Sequence, residues 1–361
     1  MRKIICIAII FIVRTLWADD DGMILRGFAD ASLQHSNLDK NGNLDETSKF
    51  ALGGLDFFLT KKLDKKTDAL VELVFEQNSD GELVTDLERL YLRYKVDQWL
   101  QIGIGRFHTA LGYWNETYHH GSYLFDSATR PFMFRFEDDG GILPVHTVGL
   151  EFVGNGDLGG TNAGYILHIG NGRGLKNDPP QTSTDANKSK SVSLVGYYDL
   201  STSVRLGLTF NTDEAPAGSF TTQAADPLDG NRVKETTTLV DKMKENIYGY
   251  HIVYRSPIVD FLGEYLKISH KYEDMTQTNV NITAYYAQVS FHYKKLTPFY
   301  RYEINQTDLP DVYSGLTDTR IINTTGARYE LSDASAFKLQ YENINNRRSE
   351  YITSASIAWG W

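Results

Sequence analysis

The sequence predicts an all-β protein: one closed antiparallel β-barrel of about sixteen strands that crosses a membrane. Three observations carry this. Apolar residues recur with a period of two along most of the chain, the spacing that lines up one face of a strand. No stretch supplies the roughly 20 apolar residues that a membrane-crossing helix needs. The last twelve residues, Glu350 to Trp361, read EYITSASIAWGW, a strand whose outer face would carry Tyr351, Thr353, Ala355, Ile357, Trp359 and Trp361. Lipid accepts such a face, with aromatic rings at the membrane interface. A sheet that enters lipid must close, because only helices and barrels satisfy every backbone group there.

The start of the chain reads as a cleaved signal peptide, residues 1–18. Arg2 and Lys3 are basic, Ile4 to Val13 form an apolar run, and Leu16-Trp17-Ala18 precede three aspartates. Residues 19–361 then form one barrel domain, since no linker or shift in composition divides them. The whole chain carries a net charge of −10; cleavage would remove three basic and no acidic residues and leave −13. That balance disfavours nucleic acid as a partner. Cys6, the single cysteine, lies in the leader, so no disulfide or cysteine-ligated metal is expected.

From Met23, Leu25, Gly27, Ala29, Ala31 and Leu33 alternate with Arg26, Phe28, Asp30, Ser32 and Gln34, until Asn37 to Ser48 interrupts. A second strand covers Lys49 to Thr60. The third sets Ala69, Val71, Leu73 and Phe75 against Glu72 and Glu76. After a loop from Asn78 to Thr85, the fourth sets Leu90, Leu92 and Tyr94 against Arg89, Tyr91 and Arg93, and the fifth sets Ile102 and Ile104 against Gln101, Gly103 and Gly105. Further strands are predicted at His146 to Val153, Gly164 to Gly170, Ser191 to Asp199, Val204 to Phe210, Asn246 to Tyr254 and Val259 to Tyr272. Ile282 to Tyr293, Thr297 to Ile304, Thr319 to Leu331, Ala336 to Asn343 and the terminal strand complete sixteen. Pro298 sits at a strand start, where its missing N–H is tolerated.

Connections alternate in length: those after odd strands are mostly long, those after even strands mostly short. Membrane barrels have this asymmetry, and an even strand number puts both termini on the short-turn side. A soluble sandwich also alternates, but this many strands would require a second core. The longest connection, Phe107 to Pro144, is rich in large side chains, among them Trp114, Tyr118, Phe125, Phe132 and Phe134. A long ordered loop in a compact fold usually has a role.

Several strings resemble a known family. GRFHTALGYWN (Gly105 to Asn115), YHHG (Tyr118 to Gly121), Arg130-Pro131, EDDGG (Glu137 to Gly141) and GNGRG (Gly170 to Gly174) are similar to porin-like outer-membrane proteins grouped near the phosphate-selective porins. The terminal aromatic, with apolar residues two and four positions before it, likewise resembles the signal by which bacterial barrels are recognised for assembly. The resemblance implies a bacterial outer-membrane location and a third loop folded into the barrel. It also implies a homotrimer, and a barrel-assembly partner that reads Trp359 and Trp361. The loop holds Arg130 and Arg135 against Glu116, Asp126, Glu137, Asp138 and Asp139, which argues against phosphate selectivity.

The function read from this is passive diffusion of small hydrophilic solutes or ions through a constricted, water-filled channel, with outer-membrane lipid around it. Charge and diameter at the narrow point decide what passes. Arg106, Arg130 and Arg135 opposed by Glu137, Asp138 and Asp139 are the expected constriction. Arg26, Asp30, Glu72, Arg89, Arg93, Arg301, Glu303 and Arg328 are the expected lumen wall. The alternative is a barrel with no open pore that binds a partner at its surface, chiefly through Asn211 to Glu245, or acts as a hydrolase. No GxSxG or HExxH string supports catalysis, so the chain is read as no enzyme. Neighbouring His119 and His120 near Glu116 could ligate a divalent cation, but adjacent loop histidines point apart unless a turn joins them. No metal or cofactor is assigned.

Overall fold

The structure is a computed structural model. It describes residues 22–38, 44–77, 83–119, 121–135, 141–174, 185, 188–226, 229–273, 278–346 and 349–361. The expected leader, His120 and Glu137, Asp138 and Asp139 lie outside the described residues.

Sixteen strands close one antiparallel barrel. They are β1 Met23–Leu38, β2 Leu44–Lys62, β3 Thr67–Gln77, β4 Leu83–Lys95, β5 Gln101–His108, β6 His146–Asp157, β7 Asn162–Asn171, β8 Lys190–Asp199, β9 Val204–Ala215, β12 Met243–Tyr254, β13 Val259–Tyr272, β14 Val280–Phe291, β15 Leu296–Thr307, β16 Arg320–Ser332, β17 Ser335–Asn345 and β18 Ser349–Gly360. Each pairs with its neighbour in the chain, β9 pairs with β12, and β1 closes on β18 with Ala29 opposite Trp359. Every predicted strand is present.

The differences lie at the loop ends. β1 and β2 run on into the polar stretch Asn37 to Ser48, leaving only 39–43 between them, because hairpin pairing outweighs the low strand propensity of Asn and Asp. The excursion Asn211 to Glu245 is not irregular throughout. It contains a separate two-stranded sheet, β10 Gly218–Asp226 and β11 Asp229–Val240. Thr and Val favour extended backbone there.

Parity along the strands is as the period of two requires. Leu25, Leu33, Leu90, Ile104, Leu150, Leu208, Leu339 and Ile357 stand exposed on the outside and form an apolar belt. Near the barrel end that holds the last residue, Tyr94, Phe291, Tyr293, Tyr329, Trp359 and Trp361 add an exposed aromatic girdle. In a bilayer this belt would be covered by lipid tails and the girdle would sit at the headgroups. Connections at that end are short. Two are fixed by aspartates: Asp64 accepts from the Lys66 and Thr67 N–H groups, and Asp97 from those of Trp99 and Leu100.

The inside is packed. A large buried cluster joins Leu111, Trp114, Phe125, Phe132, Met133 and Phe134 of the connection between β5 and β6 to wall residues such as Ile247, Leu266, Ile282 and Tyr286. The barrel core is therefore made by its own third loop.

Candidate functional site: the third loop inside the barrel

β5 ends in a kink. Gly105 has φ +147°, and a Cβ there would lie 2.0 Å from the Leu90 carbonyl oxygen, so only glycine fits. Beyond it Phe107 stacks between Tyr91 and His168, and the described loop residues, 109–119, 121–135 and 141–145, turn into the lumen. A short helix, α1 Gly112–Thr117, starts against β13. Glu264 accepts from the Tyr113 N–H (2.6 Å) and the Trp114 N–H (2.8 Å), which satisfies two of the open donors of the first turn. Tyr286 donates to the same carboxylate at 2.7 Å. Gly112 lies so close that a Cβ would meet Glu264 Oε2 at 2.3 Å.

From α1 the loop passes along β15, β16 and β17 toward β1. Trp114 packs edge-on against Tyr118 and Tyr286. Ser122 donates to Asp30 of β1 at 2.8 Å. Lys338 of β17 donates to the Ser122 and Ser127 carbonyls, and Arg328 of β16 to those of Tyr123 and Phe125. Arg301 of β15 reaches Ser127 Oγ (2.8 Å) and the Thr129 carbonyl (3.0 Å), and Glu303 accepts from the Phe132 N–H at 2.6 Å. Gln340 and Glu342 hold Ala128 and Thr129. Irregular backbone at membrane depth survives only when protein groups complete its hydrogen bonds, and charged wall residues do so here.

Arg301, Glu303 and Arg328, expected to line water, thus face inward but are buried beneath the loop; Arg301 is 0 % exposed. Asp30, Arg89 and Arg93 stay half-buried on the inner face. Glu72 is buried and paired with Arg89, and Arg93 donates to Glu151 of β6 at 2.6 Å. Arg26 is exposed, level with Phe58 of β2.

The three expected constriction arginines do not share one side. Arg106, next to Gly105, is buried with Nε donating to the Glu88 carbonyl at 3.1 Å. β5 lies diametrically across the barrel from β15, over which Arg130 and Arg135 sit. Arg135 and Arg320 flank the ring of Phe132. Arg173, within GNGRG, folds inward to Glu245 (2.8 Å) and not to a phosphate-like cradle.

Glu116 lies within electrostatic reach of Glu151, Arg89 and Arg93. Burial, with Glu151 nearby, lifts its carboxyl well above the ordinary carboxylate range. His119 instead meets His108, His146 and Glu88. Of these four only His119 stood out in the sequence, because the others come from three different strands with no fixed spacing to reveal them.

No protein-family model matches this chain, and no curated protein matches it significantly. Solved structures are similar along nearly its full length. An anion-selective porin from Comamonas acidovorans has 13% identity and a TM-score of 0.63, covering 94% of this chain and 99% of that one. A loop-deletion mutant of OmpT, an outer membrane protein of Vibrio cholerae, has 10% identity, a TM-score of 0.63 and 95% and 100% coverage. OmpF of Salmonella typhi, in complex with daunomycin, has 13% identity, a TM-score of 0.60 and 95% and 99% coverage. The fold is that of the porin barrels of bacterial outer membranes, and the apolar belt and aromatic girdle are the surface such a membrane requires.

Proposed function

We propose that this chain is a diffusion porin, through which small hydrophilic solutes or ions pass along the β1–β5 side of a lumen narrowed by the third loop. One observation carries the reading. The loop seals its apolar side against β12–β16, while the inner face of β1–β5 stays partly exposed and bears both signs: Asp30, Lys49, Asp68, Glu76, Asp86, Arg89 and Arg93. Charge of both signs along a narrow passage favours hydrated over apolar solutes. On this reading the chain is a channel rather than an enzyme, and its last strand, through Trp359 and Trp361, is what the barrel-assembly machinery reads. One solved form of Vibrio cholerae OmpT is described as a trimer, and a trimer is proposed here also.

The test is the current through the refolded barrel, residues 19–361, in a planar bilayer with a salt gradient. Stable unitary steps with a small reversal potential support the porin. No conductance from protein shown to be folded in the bilayer overturns it.

A further inference from the structure

We propose that Glu88, His108, His119 and His146 form a binding site for one divalent transition-metal ion of the zinc class, which clasps the third loop to the wall. Glu88 lies on β4, His108 ends β5, His146 opens β6 and His119 belongs to the loop. One ligand atom from each lies within 4.8 Å of every other. All four side chains are almost fully buried, His119 at 3% and Glu88 at 2% exposed.

The distances suit a metal. Zinc binds imidazole nitrogen at about 2.0–2.1 Å, so the edge of its tetrahedron is about 3.3 Å. His119 Nε2 stands 3.1 Å from His146 Nε2 and 3.5 Å from Glu88 Oε2, and Glu88 Oε2 also contacts His146 Nε2. To close a tetrahedron the His108 ring, stacked on His119 with centroids 3.4 Å apart, must tilt out of the stack toward the other three.

The proton positions point the same way. Asn115 Nδ2 donates to the Thr109 carbonyl at 2.8 Å, which turns Asn115 Oδ1 toward His119 Nδ1, also at 2.8 Å. His119 Nδ1 must therefore carry the proton, and in the neutral ring the lone pair sits on Nε2. That lone pair faces a carboxylate oxygen and a second imidazole nitrogen. An N–H on His146 serves only one of the two acceptors before it, whereas a cation satisfies all of them. Anchoring the far nitrogen of a ligating histidine to an amide or carbonyl oxygen is how metal sites fix the tautomer. His108 Nε2, buried, makes no hydrogen bond and lies 3.6 Å from Glu72 Oε2. His119 also holds φ +35°, a costly conformation for a residue other than glycine. Imidazole with one carboxylate selects zinc-class ions over magnesium or calcium, which take oxygen ligands.

The experiment uses the untagged full barrel, refolded in detergent, stripped with chelator and dialysed against zinc, with bound metal counted by mass spectrometry. Co2+ serves as a spectroscopic probe. One zinc per chain and the intense visible bands of four-coordinate Co2+ are expected. His119→Ala, on the loop where the wall is untouched, should weaken binding by about 100-fold, and Asn115→Ala by about 10-fold. His35→Ala, remote on β1, should change nothing. Folded wild-type protein that takes up no stoichiometric zinc overturns the site, as does full binding by both His119→Ala and Glu88→Gln. The metal count does not depend on whether the barrel conducts.

Discussion

Two arcs of the inner wall meet the same loop in opposite ways. From β13 to β17 the ionisable side chains turn to the loop backbone: Glu264 and Glu303 accept its N–H groups, and Arg301, Arg328 and Lys338 donate to its carbonyls. From β3 to β7 they pair across the wall, Glu72 with Arg89 and Arg93 with Glu151, which also accepts from His168. Arg301 is sealed, while the Arg89 side chain keeps 27% of its surface exposed. A charge at an inward strand position is thus no evidence of a pore lining by itself. What lies on top of it decides whether it anchors or faces water.

The sharpest way to break the contrast is to empty the sealed arc. Trp114→Ala removes the ring that Tyr118, Phe125 and Tyr286 surround and should cost about 3–5 kcal/mol. With the loop loosened, unitary conductance should rise and the urea midpoint should fall. Glu264→Ala should cost less, about 1–3 kcal/mol, since it removes the carboxyl that accepts two buried backbone N–H bonds. Its conductance steps should become noisy as α1 frays.

On the open arc the expected change is in selectivity. Asp86→Asn, half-buried on β4, should move the reversal potential toward anions while stability stays within about 0.5 kcal/mol of wild type. An unchanged potential would place the ion path elsewhere.

The smallest effect lies outside both arcs. The Lys66 and Thr67 N–H groups and the Thr67 hydroxyl hold the Asp64 carboxyl below its ordinary value. A depressed folded-state value gives stability that is present above the unfolded value, near 3.9, and fades as pH falls through the folded one. Asp64→Asn should therefore flatten the acid limb of a stability–pH profile slightly and leave conductance untouched.

Much of the barrel was legible in order. The face of every strand follows from alternation: Leu339 and Tyr341 point out, Lys338 and Gln340 point in. The site was legible only in part. The loop's aromatic content announced an ordered segment, and the porin-like strings place Gly105, Gly112 and Trp114 where the chain leaves the wall. Neither told Arg301 from Arg89. Arg106 looked like a partner of Arg130 and Arg135, yet half the barrel circumference separates them.

The sequence by itself determined the closed barrel, the parity of its strands, and the long and short ends. All of these rest on relations between residues a few positions apart, written as a period of two and as turn residues. Only the tertiary structure decided where the loop lies, which wall charges hold it, and that Glu88, His108, His119 and His146 meet. Those contacts join residues far apart in the chain, such as Tyr113 with Glu264, 151 positions away, and Ala128 with Gln340, 212 positions away. No local pattern encodes such a distance; closing the barrel creates it.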